Sequence, residues 1–185
     1  MNYSTLMSPG RIGSMELRNR ILLAAMGSEY AEEDGSCSDR LWDYYEARAA
    51  GGAGLLVVET SSVGWPEGNT MPRMVGLSEA RFLPGLEALS GAAHRHGAKI
   101  AVQLHHGGIN AAQDVREGRP LLIPSHPPRA DYNDVAEGML VEEMAAFAGA
   151  GKPELHVMQR EDIARLTDSF AAAADRARRA GFDGA

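Results

Sequence analysis

Residues 99–108 read KIAVQLHHGG, and this stretch decides how the chain folds. The apolar run Ile100-Ala101-Val102 is too short for a helix and sits between a helix stop at Gly97 and the glycines 107–108, which marks a buried strand. The strand then finishes in a side-chain amide, Gln103, and two imidazoles, His105 and His106. Parallel sheets carry their ligand-binding groups at this end of a strand.

Two stretches upstream have the same form. ILLAA, 21–25, and GLLVVE, 54–59, are short continuous apolar runs, the second rich in branched residues. Between them, SDRLWDYYEARAAGG repeats Leu41, Tyr44, Tyr45 and Arg48-Ala49 at helical spacing. Ser38 is placed to cap that helix and Gly51-Gly52 to end it. LPGLEALSGAAHRHG aligns Leu83, Leu86, Leu89 and Ala93 on one helical face. REDIARLTDSFAAAADRARRAG predicts a last helix with Ile163, Leu166, Phe170, Ala173-Ala174 and Ala177 inward. RIGSMEL, 11–17, reads as a small hairpin about Gly13-Ser14. From Gly107 to about Gln159 no periodicity stands out, and 107–159 is expected to be a loop or lid insertion.

The order is therefore strand, helix, strand, helix, strand, insertion, helix. Strands that alternate with helices are parallel and joined by crossovers. A doubly wound sheet and a (β/α)8 barrel both satisfy this pattern. In a barrel the three strand ends, AAMGSEY at 24–30, ETSS at 59–62 and QLHHGG at 103–108, converge on one mouth. Small residues there (Ala25, Gly27, Thr60) admit a flat ligand close to the backbone, and the Gln103 amide offers two donors and an acceptor in one plane. Strand alternation from Gln103 turns His105, not His106, toward the mouth.

Composition narrows the function. The chain has 185 residues, is 44% hydrophobic and 23% charged, and carries a net charge of -7, which argues against a nucleic-acid surface. One cysteine, Cys37, allows neither an intrachain disulfide nor a cysteine metal cluster. The opening residues lack a basic-then-apolar leader pattern and no apolar run approaches the ~20 residues of a membrane span, so a cytoplasmic protein is expected. GGAG, 51–54, precedes a strand instead of following one and so lacks the geometry of a phosphate loop. His94 and His96 lie on different faces of their helix and do not form a metal pair. No strand-end lysine or paired carboxylates support a barrel lyase or isomerase.

Four stretches together carry a family resemblance: LMSPGRIGSMELRNRILLAAMG, DRLWDYYEARAAGGAGLLVVE, HGAKIAVQLHHGG and AADRARRAGFDGA. In order and spacing they resemble the Old Yellow Enzyme family of NADH:flavin oxidoreductases, in particular the N-terminal part of its long bacterial members related to 2,4-dienoyl-CoA reductase. The resemblance implies a TIM barrel that binds FMN, takes hydride from NADH or NADPH, and passes it to an activated carbon–carbon double bond of a small molecule. It implies cofactor contacts from Ala25, Met26 and Gly27 after the first strand, from Thr60 after the second-strand acid, and from Gln103, which would read the pyrimidine edge. Gly27 stands where some relatives carry a Cys or Thr, and Ser28 is the nearby residue able to substitute.

The last stretch resembles the helix that leads into the family's fourth strand. The expectation is thus an N-terminal portion of one FMN-binding barrel domain, with three strands and the start of a fourth. On this reading the catalytic histidines, the phosphate-binding loops, and any iron–sulfur cluster or FAD belong to residues beyond it, and no catalytic residue is assigned here. A homo-oligomer or a complementing chain is then expected as a partner, a partner chain being able to supply the missing half. The alternative is a non-catalytic subunit that keeps the half-barrel scaffold.

Overall fold

The structure, a computed structural model, describes residues 3–126 and 153–185. A short helix α1 (Ser4–Met7) leads into an antiparallel hairpin, β1 (Gly10–Ile12) and β2 (Met15–Leu17). Then come β3 (Leu22–Leu23), α2 (Asp39–Ala50), β4 (Leu55–Ser62), β5 (Val75–Gly76), α3 (Leu83–Arg95) and β6 (Lys99–His105). The remaining elements are α4 (Ala112–Arg116), β7 (Leu121–Ile123), β8 (Leu155–Val157) and α5 (Arg160–Arg179).

Strand order separates the two candidate architectures. β3 pairs in parallel with β4, β4 with β6, and Ala101 of β6 bridges in parallel to Gly184. The order of β3, β4 and β6 follows the sequence without reversal, β5 adding only two residues at the tip of β4, whereas a doubly wound sheet reverses at a switch point. The helices also lie on one face. Leu41, Tyr45 and Ala49 of α2, Leu86, Leu89 and Ala93 of α3, and Ala173 and Ala177 of α5 join Leu56, Val58, Ile100 and Val102 in a single core. On the opposite face Val57 and Ala101 are only half-buried and Gln103 is exposed. A sequential parallel sheet with its helices outside is a partial (β/α)8 barrel.

Local chemistry explains the helices. The Ser38 hydroxyl accepts the Leu41 N–H at 3.1 Å and caps α2, as its sequence position predicts. At α5, Gln159 and Asp162 form a reciprocal capping box. α5 differs from expectation at its start. Ile163 is 52% exposed, because the helix meets the core through its second half at Phe170, Ala173 and Ala177.

The hairpin closes the end of the sheet away from the strand tips. Arg18 donates to the carbonyls of His96, Ala49 and Ala53 at 2.5, 2.8 and 2.9 Å. A cation thus satisfies carbonyls at the C-terminal ends of α2 and α3, where the helix dipoles favour it. At the same end Asp183 ties the last residues to β6, accepting from Lys99 Nζ at 2.7 Å and the Ile100 N–H at 3.0 Å, with His94 Nε2 at 2.7 Å. Burial alone would raise the Asp183 carboxyl, but these bonds outweigh it and hold its pKa below the ordinary 3.8.

A depressed carboxyl stabilises the fold above its unfolded pKa and loses that contribution as pH falls through the folded value. Asp183→Asn is accordingly expected to cost about 1 kcal/mol at neutral pH. In urea unfolding the gap to wild type should shrink below pH 3.8; a gap that stays constant would show that the Asp183 charge does not contribute.

The segment expected as a lid, 107–159, is not featureless where it is described. β7 and β8 pair in parallel, Leu121 with Leu155 and Ile123 with Val157, and Ala111, Val115 and Leu121 form a small second core beside Leu155. Pairing across more than thirty residues leaves no local periodic signal, which is why the sequence does not announce it. Residues 127–152 of the expected lid lie outside the described residues. No helix among the described residues is long and apolar enough to cross a membrane.

Candidate active site

The strand tips gather at one end of the sheet. Thr60 and Gln103 are ladder partners, so their side chains share the face that the helices leave open. They meet because the register shifts between Val58 and Thr60, a bulge at which Glu59 is the extra residue. Val57 pairs with Ala101 on the open face and Val58 with Val102 on the helix side. Glu59 stays on the helix side, where its N–H donates to the Tyr45 hydroxyl at 2.8 Å, and Thr60 resumes the open face beside Gln103. A plain ladder would have sent Thr60 to the helices.

Gln103 makes no side-chain hydrogen bond among the described residues and is exposed, although it is a strand residue. The Thr60 hydroxyl is buried and has no partner there. Two pairs further along, Ser62 faces His105, which places His105 on the open face as alternation predicts. Its Nε2 is buried without a partner, and burial, helped by neighbouring His106, lowers its pKa and keeps the ring neutral. His106 turns away. It contributes Nε2 to Glu67 Oε1 at 3.4 Å and accepts the Gly108 N–H on Nδ1 at 3.2 Å. Glu67, bonded by His106 and also by Arg165 at 2.9 Å, is held below the usual carboxylate range.

The segment after β3 reaches the same tips. Ala25 is half-buried, and Met26 and Gly27 are exposed. The next residue, Ser28, bonds to Glu59, the neighbour of Thr60, through its N–H at 3.1 Å and its hydroxyl at 2.5 Å. Ser28 therefore directs its hydroxyl proton to Glu59. Gly27 packs against a residue that the sequence did not single out: a Cβ there would stand 2.5 Å from the Met71 methyl. Met71 fills the space of the missing side chain from the loop after β4. Glu59 was legible in principle, since an acid ending the apolar run GLLVVE is out of character for a core strand.

The arrangement gives an open sheet face rimmed by an exposed amide, a hydroxyl and an imidazole nitrogen without partners, with small residues between them. Such a surface can take a planar heterocycle bearing donors and acceptors along one edge. Among the described residues no cluster of His, Cys, Asp or Glu is placed to hold a metal ion.

Comparison with known proteins agrees with this geometry. Residues 5–185 match the model of the NADH:flavin oxidoreductase / NADH oxidase family. The chain is 36% identical over 183 residues to an NADH oxidase of Thermoanaerobacter brockii, covering 99% of this chain and 25% of that protein. It is 37% identical over 181 residues to a metal reductase of Desulforamulus reducens, covering 98% and 24%. The chain thus spans about a quarter of the length of these relatives. The crystal structure of Old Yellow Enzyme from Pichia sp. AKU4542 superposes with a TM-score of 0.79 at 25% identity, over 97% of this chain and 44% of that one. With its sequential parallel strands, their tips meeting at Thr60 and Gln103, the chain belongs to the NADH:flavin oxidoreductase / NADH oxidase family, the family of Old Yellow Enzyme.

Proposed function

We propose that the chain forms the first part of an FMN-binding barrel that passes hydride from NAD(P)H to an activated carbon–carbon double bond of a small molecule. The observation that carries this reading is the Thr60–Gln103 ladder pair, an unsatisfied hydroxyl beside a free amide on the open face. In this reading the Gln103 amide holds the pyrimidine edge of the flavin, Thr60 borders it, and Ala25, Met26 and Gly27 lie along it. Bound FMN supplies the two-electron relay between nicotinamide and acceptor, chemistry that side chains do not provide. The chain's own contribution is to bind, to orient, and to keep water from the face of the sheet. His105, on the same face, keeps a buried ring nitrogen without a partner among the described residues.

The remaining strands, the groups that bind the FMN phosphate, and the groups that hold the acceptor carbonyl come from outside these residues. Purified in the longest form its gene encodes, the protein is expected to be yellow and to release FMN on denaturation. A colourless protein that fails to take up added FMN would end the flavin reading. Residues 1–185 alone are expected to bind FMN far more weakly than that form, because half of the mouth is missing. Stoichiometric tight binding in a flavin titration of the isolated chain would contradict this.

A further inference from the structure

We propose that Glu59 is a positioning residue of the mouth: its buried carboxyl holds the segment Ala25–Ser28 against the tip of β4. This rests on the flavin reading for its functional consequence, but its geometry stands apart from it. The β3–β4 ladder ends at Leu23–Leu56. The chain then runs on to the residues that border the mouth without further ladder pairs, and its next fastening to β4 is Ser28, whose N–H and hydroxyl both donate to Glu59 Oε2. Residues Ala25, Met26 and Gly27 are thus suspended between one ladder pair and one side-chain carboxyl. A shift of Ser28 would move all three relative to Thr60.

The carboxyl itself is held firmly. Glu59 is wholly buried. The Tyr45 hydroxyl of α2 lies 3.5 Å from Oε2 and accepts the Glu59 N–H, so a residue of the helix layer fixes both the backbone and the side chain of the bulge. No cation pairs with Glu59 among the described residues. The titratable groups around it are Glu29 from the same loop, Tyr45 of α2 and Cys37 ahead of α2. Oε1 is buried with no partner among the described residues. A core acid that served the fold alone would be better replaced by an apolar residue, since an unsatisfied buried oxygen is costly. Its two shortest bonds go instead to the segment that has left the ladder.

The test uses Glu59→Ala, Glu59→Gln and Ser28→Ala in the full-length protein, with two independent readouts. Amide hydrogen exchange at residues 24–28 is expected to quicken about 10-fold or more in Glu59→Ala, and by a similar factor or less in Ser28→Ala, which loses one of the two bonds. Glu59→Gln keeps an acceptor in place and is expected to restore protection. FMN dissociation should follow the same order, weaker by about 10-fold in Glu59→Ala and rescued by Gln. If the protein takes up no FMN, the flavin reading falls while hydrogen exchange still decides the role of Glu59. Unchanged exchange at 24–28 in both Glu59→Ala and Ser28→Ala overturns the proposal. So does quickened exchange with unaltered FMN affinity, since the segment would then not position the cofactor. Should Glu59→Ala not fold, exchange and FMN affinity in Ser28→Ala decide between these outcomes.

Discussion

Gln103→Leu is expected to weaken FMN binding by about 10- to 100-fold and to leave urea unfolding unchanged. The two halves of this result have separate causes. The fold does not use the Gln103 amide, which is exposed and makes no hydrogen bond among the described residues. Leucine keeps the volume and suits a strand position, so stability has no reason to fall. A bound flavin, in contrast, would lose an edge that offers two donors and an acceptor. At about 0.5–1.5 kcal/mol for each net hydrogen bond, two lost bonds amount to roughly 1–3 kcal/mol, which brackets the expected range of affinity. Fluorescence titration with FMN measures it. An affinity within two-fold of wild type would mean that the flavin does not meet this amide.

The second large effect lies at the opposite end of the sheet. Gly54→Ala is expected to cost about 3 kcal/mol, near the upper range for overpacking. Its N–H donates to Ile21 and its carbonyl accepts from Lys99, both at 2.9 Å, so Gly54 joins the beginnings of β3, β4 and β6. A Cβ would stand 2.7 Å from the Asn19 backbone oxygen and 2.6 Å from its Oδ1. Asn19 is pinned in turn, with Nδ2 donating to the Gly52 carbonyl at 2.8 Å and Oδ1 accepting from the Ile21 N–H at 3.0 Å. The backbone can yield only by parting the strands. Gly91→Ala is the control. It lies inside α3 with nothing within 4 Å of its added methyl, and is expected to gain up to about 1 kcal/mol from helix propensity. Urea unfolding of the two variants should move in opposite directions; equal shifts would discredit the steric explanation.

Much of the barrel was legible because its signals are local. β4, β6, α2 and α3 appear within a residue or a few of where apolar runs, caps and glycine stops place them. β3 is shorter than its sequence suggests. ILLAA looks like a strand of five residues, yet only Leu22–Leu23 pair, because a side chain takes over from the ladder beyond them. β5 was invisible, since two residues of pairing at the tip of β4 leave no periodic trace. For the site, alternation correctly set Gln103 and His105 on one face. Thr60 was placed at the same mouth by its position at the end of its strand, but the bulge that turns it to the face of Gln103 has no period and left no trace in the sequence. Nor did it reveal Met71 beside Gly27, a contact made by a loop whose course nothing local dictates.

The bulge at Glu59 also changes what kinds of mutation matter here. Substitutions at the β4 tip alter one side chain each and leave its neighbours facing as before. Loss of a single codon between Val58 and Thr60 would restore uninterrupted alternation. It would keep the threonine opposite Gln103 and both serines on their present faces, and remove only the carboxyl that fastens Ser28. For this stretch, a reading-frame-preserving deletion would release the border of the mouth while leaving the strand tips aligned as they are.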